Sequence, residues 1–298
     1  MLKLFKTACS ILALTTLCAS SVSAHSLWIN IHGSFAHSPG HVITSLGWGH
    51  AMPLDDFLVG QAGIVDIEKY SLMGPDNSIT LIPLPVIKQE KATPSKTGMT
   101  LVPGDLGLRK ISLTDKAMPG TYQVAAESRA TYFTGYVDAK GKNRMATKSM
   151  DEIKGAQSVN FSTRYKAMAK SYFSIEKWTP PSPLGYDLEI MPETDMTNVK
   201  AGDLVKFTVT LNGKPVTCDM KGMNYLHMTS NTFGGPDKYM LAAYIMNGKA
   251  QIRVPTPGAW RVWVTLEKEV TKDNELKHLA GKCRSINYAA SVSFTAKP

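Results

Sequence analysis

Five of the chain's seven histidines, His25, His32, His37, His41 and His50, fall between positions 25 and 50. Neutral imidazole is a good donor to borderline transition metals near physiological pH, so such a cluster points first to metal binding. His25 stands apart because the residues ahead of it read as an export signal. Lys3 and Lys6 precede an apolar run from Ala8 to Leu17, and Ser21-Val22-Ser23-Ala24 places small residues where a signal peptidase cuts. Cleavage after Ala24 would make His25 the chain start, giving one residue both an imidazole and an α-amine. The amine titrates near pH ~8, so a divalent ion displaces its proton at modest cost and the two nitrogens close a chelate ring. Sites rich in nitrogen suit nickel(II), cobalt(II) or copper(II), while calcium and magnesium prefer oxygen.

The second imidazole expected at such a site is His50, in Gly47-Trp48-Gly49-His50-Ala51-Met52-Pro53-Leu54-Asp55-Asp56. The glycines let the backbone turn closely, and Asp55 is a weaker candidate, as a ligand or as a group that orients the ring. His32 and His41 complete the candidate set. His32 has opposite strand parity to His25 and ranks lower for that reason. His37 and His41 have the spacing of helical ligands, but Ser38-Pro39-Gly40 between them reads as a turn. Met220, Met223, His227 and Met228 form a small secondary cluster, the other methionines are dispersed, and His278 among Lys277, Lys282 and Arg284 reads as a surface residue. There is no Gly-x-Ser-x-Gly elbow, no phosphate-binding glycine motif and no flat row of exposed aromatics apparent in the sequence.

The elements that must position these groups read as mainly β. Alternating or β-branched runs, among them His41 to Leu46, Gly63 to Met73, Thr121 to Ala126, Leu204 to Leu211, Trp260 to Leu266 and Asn287 to Phe294, are separated by turn residues. Asp151 to Ala169 is the one stretch that could include a helix, although its second half fits a strand equally well. An internal echo links Ile111-Ser112-Leu113 before Pro119-Gly120-Thr121-Tyr122 to Ile252-Arg253-Val254 before Pro257-Gly258-Ala259-Trp260. Both read as a strand, a Pro-Gly turn and a second strand, the pattern of a hairpin in an immunoglobulin-like sandwich. Prolines 180, 181 and 183 mark an extended connector. The expected organisation is a signal over residues 1–24, an N-terminal β domain over 25–178, a linker over 179–185 and a C-terminal immunoglobulin-like domain over 186–298.

Composition limits the partners. The chain has 298 residues, 43% of them hydrophobic and 19% charged, which excludes general disorder and a polytopic membrane protein. Loss of Lys3 and Lys6 with the signal lowers the formal charge from +9 to +7. The basic residues are scattered or gathered in one loop (Lys140, Lys142, Arg144, Lys148, Lys154), with no basic face interleaved with aromatics, so nucleic acid is not an expected partner. No apolar run reaches the ~20 residues of a membrane span. Cys9 and Cys18 leave with the signal, and Cys218 and Cys283 are expected to form a disulfide in an oxidising compartment.

The mature start His25-Ser26-Leu27-Trp28-Ile29, the Gly-Trp-Gly-His50 element with Pro53 and Asp55-Asp56, Arg164-Tyr165-Lys166-Ala167, and Leu184-Gly185-Tyr186-Asp187-Leu188-Glu189-Ile190-Met191-Pro192 ahead of Ala201-Gly202-Asp203-Leu204 together resemble one exported bacterial family. That family is catalogued as a domain of unknown function and was earlier labelled a nickel-transport-complex component. The resemblance implies a periplasmic protein with an N-terminal β region and an immunoglobulin-like C-terminal domain, engaged in nickel or cobalt uptake, with His25 and His50 as candidate ligands and a membrane metal transporter as a candidate partner. The expectation is therefore a non-enzymatic binder of nickel or cobalt first and copper second. Two other readings stand beside it. One is a copper-dependent oxidase with a histidine-brace site, and the other is an immunoglobulin-like interaction module whose histidines are incidental.

Overall fold

The computed structural model describes residues 25–60, 63–88, 91–218, 223–234 and 239–298. The signal sequence, Cys9, Cys18 and Met220 lie outside the described residues. The strands that build the layers are Ser26–Ser34 (β1), His41–Gly49 (β2), Ile67–Met73 (β3), Ile79–Leu81 (β4), Arg109–Ser112 (β5), Gly120–Ser128 (β6), Thr131–Val137 (β7) and Ser158–Ile175 (β8) in the first half. Leu188–Pro192 (β9), Leu204–Leu211 (β10), Tyr225–Ser230 (β11), Leu241–Tyr244 (β12), Lys249–Arg253 (β13), Gly258–Glu269 (β14) and Ser285–Ala296 (β15) follow.

The chain is mainly β and layered, as its alternation predicts. A central sheet runs β12-β11-β14-β15-β8-β6-β3-β4, with β7 also on β8. Its neighbours are antiparallel except β8 and β15, which run parallel and so join strands from both sides of the proline connector. A smaller sheet, β1-β2-β5, covers one face, and β9, β10 and β13 form another on the opposite face.

Two cores follow from the two-residue period of a strand. Val124, Ala126, Ala167 and Ala169 face Leu27, Ile29, Val42 and Leu46. Their sequence neighbours Ala125 and Met168 face the other way, into a core with Leu188, Ile190, Val205, Phe207 and Val209. Covering on both faces buries consecutive positions along the central strands, including the polar Gln123, Lys170, Ser171, Ser291 and Ser293. Asp151 begins no helix beyond a single turn at Met150–Glu152, and the stretch after it is the long strand β8.

The Pro-Gly echo is real, but its expected hairpins are not. β5 pairs with β2 while β6 lies in the central sheet, and β13 pairs with β10 while β14 lies in the central sheet. In both copies the turn carries the chain from one layer to the next. Gly120 (φ +136°) and Gly258 (φ +137°) adopt the same conformation, which L side chains rarely take, so the glycine serves a crossing between layers. The expected disulfide is also absent. Cys218 is a free thiol hydrogen-bonded at Asn224, and Cys283 is a free thiol buried with Leu276, Leu279 and Ile286.

The proline connector is held along its length. Thr121 and Thr179 exchange amide-to-hydroxyl bonds of 3.0 and 2.8 Å, and the Gln123 amide donates to the Ser182 carbonyl at 2.8 Å. Glu189 accepts from the Leu184 and Gly185 amides and from Lys170 Nζ at 2.9 Å. Lys170 and Glu189 are almost fully buried, at 2% and 3% exposure.

Candidate metal site

β1 and β2 form a hairpin in which Ser26 faces Gly49 and Ser34 faces His41. One step beyond Ser26 and Gly49, the same register sets His25 opposite His50. Their ring centroids are 4.4 Å apart with planes inclined at 51°. An imidazole nitrogen bonds a metal at about 2 Å and in the plane of its ring, so one ion shared by the pair would lie beside the two rings with a nitrogen of each turned toward it. The His25 ring also stacks on Trp48, centroids 5.5 Å apart, and Trp48 meets the edge of Tyr165.

Side chains from distant strands hold this end of the hairpin. β1 has β2 on one edge only, and its other edge rests on the central sheet, where its carbonyls need donors. Tyr165 Oη donates to the His25 carbonyl at 3.1 Å, Ser291 Oγ to Leu27 at 2.5 Å, and Ser293 Oγ to Ile29. The acceptors are every second residue, as one edge of a strand requires. Burial pushes the Tyr165 phenol well above its usual range, against the opposing charge of Arg261, so it stays a neutral donor.

The loop after β2 is tied down as well. Asp55 Oδ2 accepts from the His50 amide at 2.7 Å and from Ala51 at 3.4 Å. Gly49 has φ +121°, and a Cβ there would lie 2.3 Å from that carboxylate oxygen. Pro53 accepts at its carbonyl from the Trp28 indole and the Asn30 amide, both at 2.9 Å. From β14, Arg261 Nη2 donates to the His50 carbonyl at 3.1 Å. Its guanidinium, 3% exposed, lies 4.5 Å from the Trp28 ring centroid and 4.8 Å from that of Trp263. This cation thus fixes His50 from the far half of the chain.

Of the sequence candidates, His25 and His50 come together and Asp55 clamps the loop through its backbone. His32 faces Ile43 and His41 faces Ser34, toward the other end of the hairpin. At ~3.3 Å per residue, His32 is roughly 23 Å along the strand from His25, and His41 roughly 30 Å from His50. Neither joins the His25–His50 pair. His37 is exposed in the connecting loop. His227 and Met228, in the secondary cluster, point to opposite faces of β11, and Met228 is buried in the core. Among the described residues no group of three or more His, Cys, Asp and Glu side chains is arranged to hold a metal. Two imidazoles are the side-chain donors here, and a released α-amine at His25 would supply a third nitrogen.

Tyr165, Arg261, Ser291 and Ser293 were not among the sequence candidates. A row of rings was also concealed there. Trp263, His227, Tyr225 and Tyr244 touch in succession at centroid separations of 5.3, 5.9 and 4.9 Å, starting beside Arg261. They come from three neighbouring strands, so no sequence spacing connects them.

Fold and site define a layered all-β protein with two histidines paired at the end of a hairpin. The family model described as a domain of unknown function, DUF4198, matches residues 22–268, and the chain belongs to that family. A comparison with curated proteins finds no match.

Proposed function

We propose that the protein is an exported, non-enzymatic binder of a divalent transition metal, nickel or cobalt first and copper second, serving metal uptake or delivery to a membrane transporter. The observation that carries this reading is the approach of the His25 and His50 rings to 4.4 Å. The apolar start, ending in Ser21-Val22-Ser23-Ala24, supports cleavage that frees the His25 amine. Two imidazoles and an amine form a donor set suited to these ions, and solvent or a small chelator would complete the coordination shell. On the same reading, residues 186–298 form an immunoglobulin-like unit whose contribution to the site is Arg261. Among the described residues no helix is long and apolar enough to cross a membrane.

Isothermal titration tests the proposal. Protein beginning at His25 should bind nickel or cobalt at least tenfold more tightly than protein with a tag fused ahead of His25, because the tag converts the amine to an amide. Equal affinity would overturn the N-terminal site. A copper-dependent oxidase would use the same two imidazoles, and peroxide formation by copper-loaded protein with a reductant would favour that reading.

A further inference from the structure

The outer edge of β1 is capped along only part of its length. The carbonyls of His25, Leu27 and Ile29 point away from β2 and take hydroxyl donors from Tyr165, Ser291 and Ser293. The two-residue period of a strand turns the amides and carbonyls of Ile31 and Gly33 to the same side. Ser291 serves Leu27 and Ser293 serves Ile29, so the donor next in step along β15 is Thr295, for Ile31. The Thr295 hydroxyl makes no hydrogen bond, and among the described residues none reaches the Ile31 or Gly33 main chain on this edge.

Where the donors stop, a cleft of about 490 Å³ begins. Ile31 and Gly33 line it from β1, Ser174 and Trp178 from the end of β8, and Thr197 and Thr295 from the C-terminal half. Its size is that of a small-ligand site, and it lies where the two halves of the chain meet. Its far wall is held in place, since the Ser174 and Thr197 hydroxyls bond at 2.9 Å and Asp195 accepts from the Thr197 amide at 2.8 Å.

The unpaired edge specifies the occupant. Main-chain N–H and C=O groups are obligatory hydrogen-bonding groups, and Ile31 and Gly33 present them in pairs roughly 6.6 Å apart. An extended peptide main chain repeats its own donors and acceptors at that interval, and adding it as a strand satisfies both residues. Glu176, Lys177, Asp195 and Lys297 also line the cleft, and among the described residues none of the four is in a salt bridge. Charges of both signs without ionic partners suit the free amino and carboxylate ends of a short peptide.

We propose that this cleft binds a short peptide in extended conformation, paired as an added strand on the outer edge of β1 at Ile31 and Gly33. The inference rests on strand pairing and stands independently of metal binding.

Titration of metal-free protein beginning at His25 with trialanine, followed by amide NMR, tests it. The Ile31 and Gly33 amides should shift and gain protection from exchange. Trialanine methylated at its peptide nitrogens, which cannot donate to the edge, should bind at least tenfold more weakly. Gly33→Pro removes an edge donor that points away from β2 and should weaken trialanine about tenfold. Asn198→Trp, in the exposed part of the lining, should do the same by filling the cleft, and it leaves β1 intact if the proline variant fails to fold. Unmoved Ile31 and Gly33 amides at millimolar trialanine, or equal binding of the methylated peptide, would overturn the proposal. A dimer in sedimentation equilibrium that Gly33→Pro breaks, without peptide binding, would assign the edge to a second copy and overturn it equally.

Discussion

Arg261 shows how much one side chain carries at this site. Its guanidinium lies between two indoles and donates to the His50 carbonyl from a position 211 residues away. Arg261→Met removes a buried charge-assisted bond and two cation–π contacts, so it should cost about 3 kcal/mol in urea denaturation and loosen the His50 loop. His227 makes a different kind of prediction. Burial lowers its imidazole below the ordinary range, Nδ1 has no hydrogen-bond partner among the described residues, and the ring stacks on Trp263. As pH falls, the unfolded chain takes up its proton before the folded one does. Stability should therefore be full above the ordinary histidine value of ~6.5 and decline below it, until the folded value is reached. Denaturation midpoints across pH should show that acid-side decline flattened in His227→Gln. An unchanged slope would exclude His227 as its source.

At the scale of elements, the β1–β2 register does the work that no single residue announces. His25 and His50 were legible as candidates because of a cleavage motif and a Gly-Trp-Gly sequence, yet their proximity depends on the registry of a hairpin closed by residues 35–40. The same register carries His32 and His41 away. The donors under β1 were not legible, because Ser291-Val292-Ser293 reads as ordinary alternation until β15 is placed below β1. Ser291→Ala should leave the Leu27 carbonyl short of a donor and cost about 1–2 kcal/mol. The Pro-Gly echo was misread for a related reason. A glycine at positive φ serves a hairpin or a crossing between layers, and only the pairing partners of the flanking strands distinguish them. Gly258→Ala should cost about 1–3 kcal/mol, since its Cβ would also meet Thr232 Oγ1 at 2.5 Å. A smaller loss on thermal unfolding would show that the turn relaxes.

Across the whole molecule, a sheet continuous through β8 and β15 lets the C-terminal half position a candidate site whose two histidines come from the N-terminal strands. The mainly β class was legible from alternation along the chain. The parallel junction was not, because strand pairing over more than a hundred residues leaves no local signal. The Lys170–Glu189 pair locks the proline connector against this sheet, and burial pulls Lys170 below its usual range although Glu189 opposes the shift. Lys170→Met would leave Glu189 buried without its cation and should cost roughly 3–5 kcal/mol in equilibrium unfolding. The central claim, a metal held jointly by His25 and His50, is tested most directly by X-ray absorption on nickel-loaded protein that begins at His25. Two imidazole ligands are predicted, falling to one in His50→Ala and to one in His25→Ala. An imidazole count that both substitutions leave unchanged would contradict it.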